Sequence, residues 1–381
     1  DWQTGSIKTA TFTAANGEGY FANTSGGAFT MNLPAGTAGN IVSVVDYTNT
    51  FQTNNLTIAP NGSQKIGGIN ANFIANTEGQ SLTFVYVDDT EGWKNVQDST
   101  SNATGNAFLI ATGGTITTCS NCKIHTFTGP GTFTVNTAAI CAANNVVSYM
   151  VVAGGGGSTT QSGGGGGAGA GGFREFKSPV TPYTASPLEG STPITVTATA
   201  FPITVGAGGS AGSPGSNGGN SVFSTITSAG GGLGGSETYS GGSGGSGGGA
   251  GFGPNGPGTG NTPPVSPPQG NNGGPNGVSG GPGFGGGGGG GATGTGGSGS
   301  PSAAGSAGAG VTTLINGTPT AYAGGGGGAS RVGGASGGAG GGGAGGGSPG
   351  ASGTAGTANT GGGAGGSADT SGVAGGSGIV I

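Results

Sequence analysis

Val151-Val152-Ala153-Gly154-Gly155-Gly156-Gly157 carries a β-branched run straight into glycine, and Gly163–Gly172 continues as Gly-Gly-Gly-Gly-Gly-Ala-Gly-Ala-Gly-Gly. Of the 104 glycines in the 381 residues, 17 precede Gly154 and 87 follow from it. Ordinary usage is about 7%, so a boundary falls near Val152–Gly154. The tracts recur at Gly230–Gly235, Gly241–Gly251, Gly283–Gly291, Gly324–Gly328, Gly337–Gly347 and Gly361–Gly366.

Few backbone forms suit such tracts. Collagen needs a sustained Gly-X-Y register with proline, which is missing. An α-helix costs about 1 kcal/mol for each glycine. Flexible linkers are glycine-rich, but so many in one chain would connect nothing. Extended helices with three residues per turn remain. Without side chains they can lie side by side, donate amide hydrogen bonds in every direction around the axis and add Cα–H···O contacts. Ordering backbone costs roughly 1–2 kcal/mol per residue. Only a nearly complete interhelical lattice offsets that cost, so the tracts should form one cooperative block intolerant of a Cβ inside. Ala168, Ala170 and Ala344 are expected to point outward.

Upstream, the texture is β. Residues 1–105 carry the runs Ile41–Val45, Leu56–Ile58 and Leu82–Val87, with turn signals at Pro34-Ala35-Gly36, Pro60-Asn61-Gly62 and Glu91-Gly92 between them. This reads as a small sandwich or stem module, with Trp93 packed on Val85 and Val87. Residues 106–153 read as a smaller hairpin connector. Lys123–Thr128 and Thr132–Val135 flank Gly129-Pro130-Gly131. Val146–Val152 is a further strand. Residues 154–381 form the glycine domain, interrupted by β-like Ile194–Val205 and Ser221–Thr227 and closed by a strand at Gly378–Ile381. The expected class is all-β N-terminal modules followed by a polyglycine-II helix bundle or sandwich, with essentially no α-helix.

Charge is scarce: 5% of residues, net −5, with seven Lys+Arg. That cannot build the basic stripe a nucleic-acid partner requires. No apolar run is long enough to insert in a membrane as a helix. The chain starts at Asp1 with no visible signal peptide, which reads as a processed chain or a segment of something longer.

Val151–Gly157, the tract ending Gly171-Gly172-Phe173-Arg174, Ile203-Thr204-Val205-Gly206-Ala207-Gly208-Gly209, Ala321-Tyr322-Ala323-Gly324-Gly325, Gly361-Gly362-Gly363-Ala364 and Gly375–Ile381 form an ordered series. It resembles the glycine-rich domains of tailed-phage tail fibres and related adhesins. Asp46-Tyr47 through Gly79–Val87 to Gly92-Trp93 is similar to a β module that precedes such domains in marine phages. The resemblance covers about residues 40 to 381. It implies a polyglycine-II sandwich at a fibre tip, virion-borne and extracellular, whose variable loops bind a host receptor, either a glycan or an outer-membrane protein. It also implies attachment to other tail proteins through the N-terminal β region. Phage fibres of this kind are commonly homotrimers, although a glycine sandwich can also close as a monomer. Cysteines near the hairpin depart from the family pattern.

Inserts between tracts are where recognition is expected, because loops on a rigid scaffold carry it. They are Ser158–Ser162, Phe173–Glu189, Ser236–Ser240, Phe252–Pro282, Thr293–Ser302 and Ser348–Thr360. The longest, Phe252–Pro282, is uncharged and stiffened by proline. Receptor-binding candidates are Glu237, Tyr239, Phe252, Asn255, Asn261, Gln269, Asn271, Asn272 and Arg331, the last being the sole basic residue after Lys177.

Catalytic chemistry finds little. His125 is the only histidine, so any triad would rest on it. Asp88, Asp89 and Glu91 can be read as a glycosidase pair or a calcium contact, but their place in a turn favours solvated acids. Cys119, Cys122 and Cys141 leave three alternatives: a Cys119–Cys141 disulfide if the chain turns at Gly129–Gly131, free thiols, or zinc with His125. No catalytic residue, metal or cofactor is expected. Alternatives to an adhesin are a purely structural fibre or capsid decoration and, more distantly, an ice-binding bundle.

Overall fold

Alternating residues build the N-terminal strands: β1 (Phe12–Thr13), β2 (Glu18–Ala22), β3 (Phe29–Asn32), β4 (Ile41–Asp46), β5 (Leu56–Ala59), β6 (Phe73–Ala75), β7 (Ser81–Asp88) and β8 (Gly92–Ser99). A computed structural model of the chain describes residues 1–99, 108–119, 122–139, 141–277 and 284–381, without the side chains of 119, 161 and 162. Two four-stranded sheets result, β1-β3-β5-β6 and β2-β4-β7-β8. Pairs β1–β3, β3–β5 and β2–β4 are parallel. Strand periodicity sends Val42, Val44, Leu82, Phe84 and Tyr86 inward, where Met31, Leu56, Ile58 and Phe51 meet them.

Trp93 is fully buried but does not pack as the run of valines suggests. The antiparallel register sets it opposite Tyr86, with ring centroids 5.5 Å apart in an edge-to-face contact. Val87 faces the other way and is exposed. Gly92 is required at this turn. Its φ is +72°, and a Cβ would lie 2.0 Å from the Lys65 carbonyl oxygen.

The chain divides into two units, Asp1–Gly105 and Asn106–Ile381. The second contains β9 (Ile110–Thr112), β10 (Thr115–Cys119), β11 (Cys122–Thr126), β12 (Gly131–Thr137), β13 (Val146–Val147), β14 (Tyr149–Val152), β15 (Gln161–Gly164) and β16 (Phe173–Phe176). It continues with β17 (Ile194–Thr195), β18 (Ala200–Thr204), β19 (Ser221–Phe223), β20 (Ile226–Ser228), β21 (Val311–Thr313), β22 (Thr320–Tyr322), β23 (Ala368–Thr370) and β24 (Ile379–Val380). Among the described residues the only helix is a 3-10 turn at Ala142–Asn145, and the class is all-β.

Residues 106–153 are not a separate connector. β12 sits inside the five-stranded sheet β20-β19-β18-β12-β9, and β14 is the centre of β16-β14-β24. The expected hairpin across Gly129–Gly131 is also corrected. Both edges of β12 are taken, by β18 and β9, while β11 turns back onto β10. Cys119 therefore pairs in register with Cys122, not Cys141. Cys122 and the exposed Cys141 are free thiols; the Cys119 side chain, and with it the Cys119–Cys141 pairing, lies outside the described residues.

The glycine tracts form a lattice of extended helices. Around Gly163–Gly172 three successive amides point to three different neighbours. Gly165 donates to Ser367 O, Gly166 to Gly235 O and Gly167 to Gly287 O, at 2.9, 3.0 and 3.0 Å. One turn on, Ala168, Gly169 and Ala170 donate to Ala364, Gly232 and Gly290 of the same three neighbours, at 2.8, 2.8 and 3.0 Å. The numbering shows that the first two neighbours run antiparallel and the third parallel. The carbonyls turn to other partners: Gly167 O accepts from Gly249, Ala168 O from Gly326 and Gly169 O from Gly156. The tract is thus enclosed on all sides by other helices, and each turn fills its donors and acceptors.

Close approach fixes the residue type. A Cβ at Gly167 would stand 2.1 Å from Gly326 O, and one at Gly363 would stand 2.1 Å from Ala168 O. Those carbonyls occupy the side-chain position as Cα–H···O partners. The expectation for the alanines is overturned in part. Ala168 and Ala170 are fully buried and Ala344 half-buried. An enclosed tract has no outward face, so their methyls are held within the block. Ala170 joins Met150, Val152 and Phe173 in an apolar cluster.

The lattice has a sheet end and an open end. At the sheet end, Ser221 and Ser228, both fully buried, donate to Val152 O and Val151 O at 2.8 and 2.7 Å. Tyr149, Phe133, Ile203 and Phe223 build the core beside them. Helices rise from this end, turn at the open end and return.

Candidate functional site

The structure separates the candidate binding residues into two groups. Phe252–Pro282 is not one loop; of it, the description covers residues 252–277. It turns at the open end, returns through Gly256–Gly260, turns again at the sheet end over residues 261–270, and rises through 271–277. Gly258 donates to Gly248 O and Gly274 to Gly288 O, at 2.8 Å each, so both passages belong to the lattice. Edge helices have a free side, and there proline, threonine and asparagine fit the extended backbone as well as glycine does.

Asn261, Gln269, Asn271 and Asn272 consequently lie at the sheet end, where their amides act as fasteners. Asn261 Oδ1 accepts from Val265 and Gln269 N–H, at 3.0 and 3.2 Å. Gln269 is buried; its Oε1 accepts Ala229 N–H and its Nε2 donates to Pro263 O, both at 2.8 Å. Asn271 Nδ2 donates to Gly291 O and Ala292 O, at 3.0 and 2.9 Å. Asn272 Oδ1 accepts Gly260 N–H at 2.8 Å. These contacts engage one or both polar groups of each side chain within the fold.

Glu237, Tyr239, Phe252, Asn255 and Arg331 lie together at the open end. Asn255 Nδ2 donates to Glu237 O at 2.7 Å, tying the Ser236–Ser240 turn to its neighbour. Tyr239 is 41% exposed. Phe252 meets Phe284 edge to face with centroids 4.3 Å apart. The Arg331 guanidinium lies over the Phe284 ring at 4.6 Å. Arg331 Nε and Nη2 donate to Asp369 Oδ2 and Oδ1, both at 2.7 Å, a bidentate pair. Asp369 Oδ1 also accepts Gly163 N–H at 2.6 Å. A continuous belt of turns thus crosses the open end.

Electrostatics follow the pairing. Hydrogen bonds from Arg331 hold the Asp369 carboxyl below its ordinary range, helped by the Gly163 amide and opposed by partial burial. The same bonds raise Arg331. Phe284 and Asp369 are non-glycine residues with positive φ, 46° and 53°, a costly conformation that packing must maintain.

Phe284 and Asp369 were not singled out from the sequence. Phe284 looks like an interruption of a tract. Asp369 carried a signal: it is the only acid after Glu237, as Arg331 is the only base after Lys177. Two opposite lone charges in an uncharged region invite pairing.

Elsewhere the titratable groups hold turns. Asp88 Oδ1 accepts the amides of Thr90 and Glu91, both at 2.8 Å, and Glu91 pairs with Lys94 at 2.7 Å. Asp89 accepts the Tyr86 hydroxyl at 2.5 Å. His125 Nδ1 donates to Gly113 O at 2.8 Å and its ring meets Phe133. Among the described residues no group of three or more His, Cys, Asp or Glu could hold a metal ion, and no helix is long and apolar enough to cross a membrane.

No curated protein matches the chain. The family model described as a glycine-rich domain matches residues 126–381. That span begins within β11 and takes in every glycine helix and both ends of the lattice. The chain belongs to the glycine-rich domain family.

Proposed function

We propose that the protein is an adhesin of a virion tail fibre or tail tip, acting outside the cell. In this reading it binds a host cell-surface receptor, a glycan or an outer-membrane protein, through the open-end turns. It has no catalytic role and needs no cofactor or nucleic-acid partner, and its N-terminal strands attach it to other tail proteins. The virion assignment rests on the sequence resemblance. The observation that carries the binding surface is the belt from Tyr239 through Phe252 and Phe284 to Arg331. It gathers aromatic side chains from separate turns on a rigid support, while the sheet-end amides are already engaged.

The test is saturation binding of the labelled chain to intact cells of a panel of aquatic bacteria. Wild type should bind a subset of strains saturably. Tyr239→Ala combined with Phe252→Ala should lower affinity at least about tenfold, and Val265→Ala at the sheet end should leave it unchanged. Equal binding by the open-end variant would move recognition elsewhere. Binding to no strain would favour a purely structural fibre or decoration role.

A further inference from the structure

We infer that Arg331 is a positioning residue for the open-end surface and not itself a receptor contact; this rests on the adhesin reading. A guanidinium that recognises a partner keeps its donor fork available. Arg331 commits its Nε–Nη2 edge to Asp369 in a bidentate pair at 2.7 Å, and one face lies on the Phe284 ring at 4.6 Å. Three segments converge on it, two of them already paired as β15 and β23. Asp369 brings in its own turn and, through its 2.6 Å bond to Gly163 N–H, the start of the central tract. Phe284, at the start of the described tract 284–291, supports Phe252 at 4.3 Å. The two residues that Arg331 touches are both non-glycine residues with a left-handed backbone, Asp369 at φ 53° and Phe284 at φ 46°. Neither conformation is favourable for a residue with a Cβ. Packing from outside must hold both, and the arginine is the group that reaches both. Removing it frees Phe284 to relax and lets the Phe252 ring drift from the position it presents.

A double-mutant cycle separates positioning from contact. Arg331→Ala, Asp369→Ala and the double variant are compared with wild type for cell binding and for amide hydrogen exchange. Positioning predicts that both single variants weaken binding by a similar factor, about tenfold, and that the double variant is no worse than either. It also predicts faster exchange at Gly163 and Gly285 in each variant, a readout that needs no receptor. A loss with Arg331→Ala that Asp369→Ala does not reproduce would make Arg331 a direct contact and overturn the inference. So would unchanged exchange at both amides. Faster exchange with binding intact in all three variants overturns the role in recognition. Phe252→Ala included beside them shows whether the open end binds at all, so the failure of the adhesin reading is seen separately.

Discussion

A single methyl group probes the lattice where it is tightest. At Gly167 the added Cβ would fall 2.1 Å from the Gly326 oxygen, a backbone atom that cannot rotate away. Gly167→Ala should destabilise the second unit by about 1–3 kcal/mol, the range for overpacking a filled interior, lowering its thermal midpoint by several degrees. Gly256→Ala, whose Cβ meets nothing within 4 Å, should leave the midpoint within about 1 °C, since surface changes usually fall within ±0.5 kcal/mol. The sequence reading of this scale was half right. It found that glycine is obligatory because backbones touch. It missed that Ala168 is buried, because the direction of a Cβ depends on which neighbours run parallel and which antiparallel. That is a property of chain routing, which no local window contains.

Between the strands and the tracts, the elements were legible where local chemistry fixes them. β4, β5, β7 and β14 fall on the β-branched runs. Pairing was not legible: β12 chose β18 and β9 over β11, because a strand's partner is set by distant edges. Inserts were the other failure, since Pro257 and Thr259 lie on an edge helix and their side chains need no glycine-like clearance. Gln269 gives this scale a test. Gln269→Ala removes the donor to the exposed Pro263 O and the acceptor of Ala229 N–H, leaving that buried amide unpaired at about 1–3 kcal/mol. Chemical denaturation should show that loss, while cell binding at the open end stays within twofold. The Arg331–Asp369 pair gives another. Because the folded carboxyl is held below its ordinary pKa, the pair's contribution is fully present above the unfolded value and is lost only as pH falls through the lower folded one. Open-end amide protection should therefore be complete above the ordinary carboxylate value of about 4 and decline only below it, and Asp369→Asn should remove that decline.

For the molecule as a whole, scarcity of charge sets the expected behaviour. With only 5% charged residues and the open-end arginine paired within the fold, cell binding should change less than about threefold between 50 and 500 mM salt. An electrostatically driven interaction would fall far more steeply over that range. Everything proposed for the open end depends on the second unit being rigid, and so on the tracts being ordered. The measurement that bears on this most directly is hydrogen exchange along residues 165–171 by NMR at neutral pH. Successive amides donate in rotation to three neighbouring tracts of the block, so none can open without its neighbours. They should exchange at one common slow rate, set by global unfolding of the second unit and scaling with its stability in denaturant. Exchange of these glycines within seconds, at the rate of an unstructured linker, would contradict the lattice and with it the account of the open end.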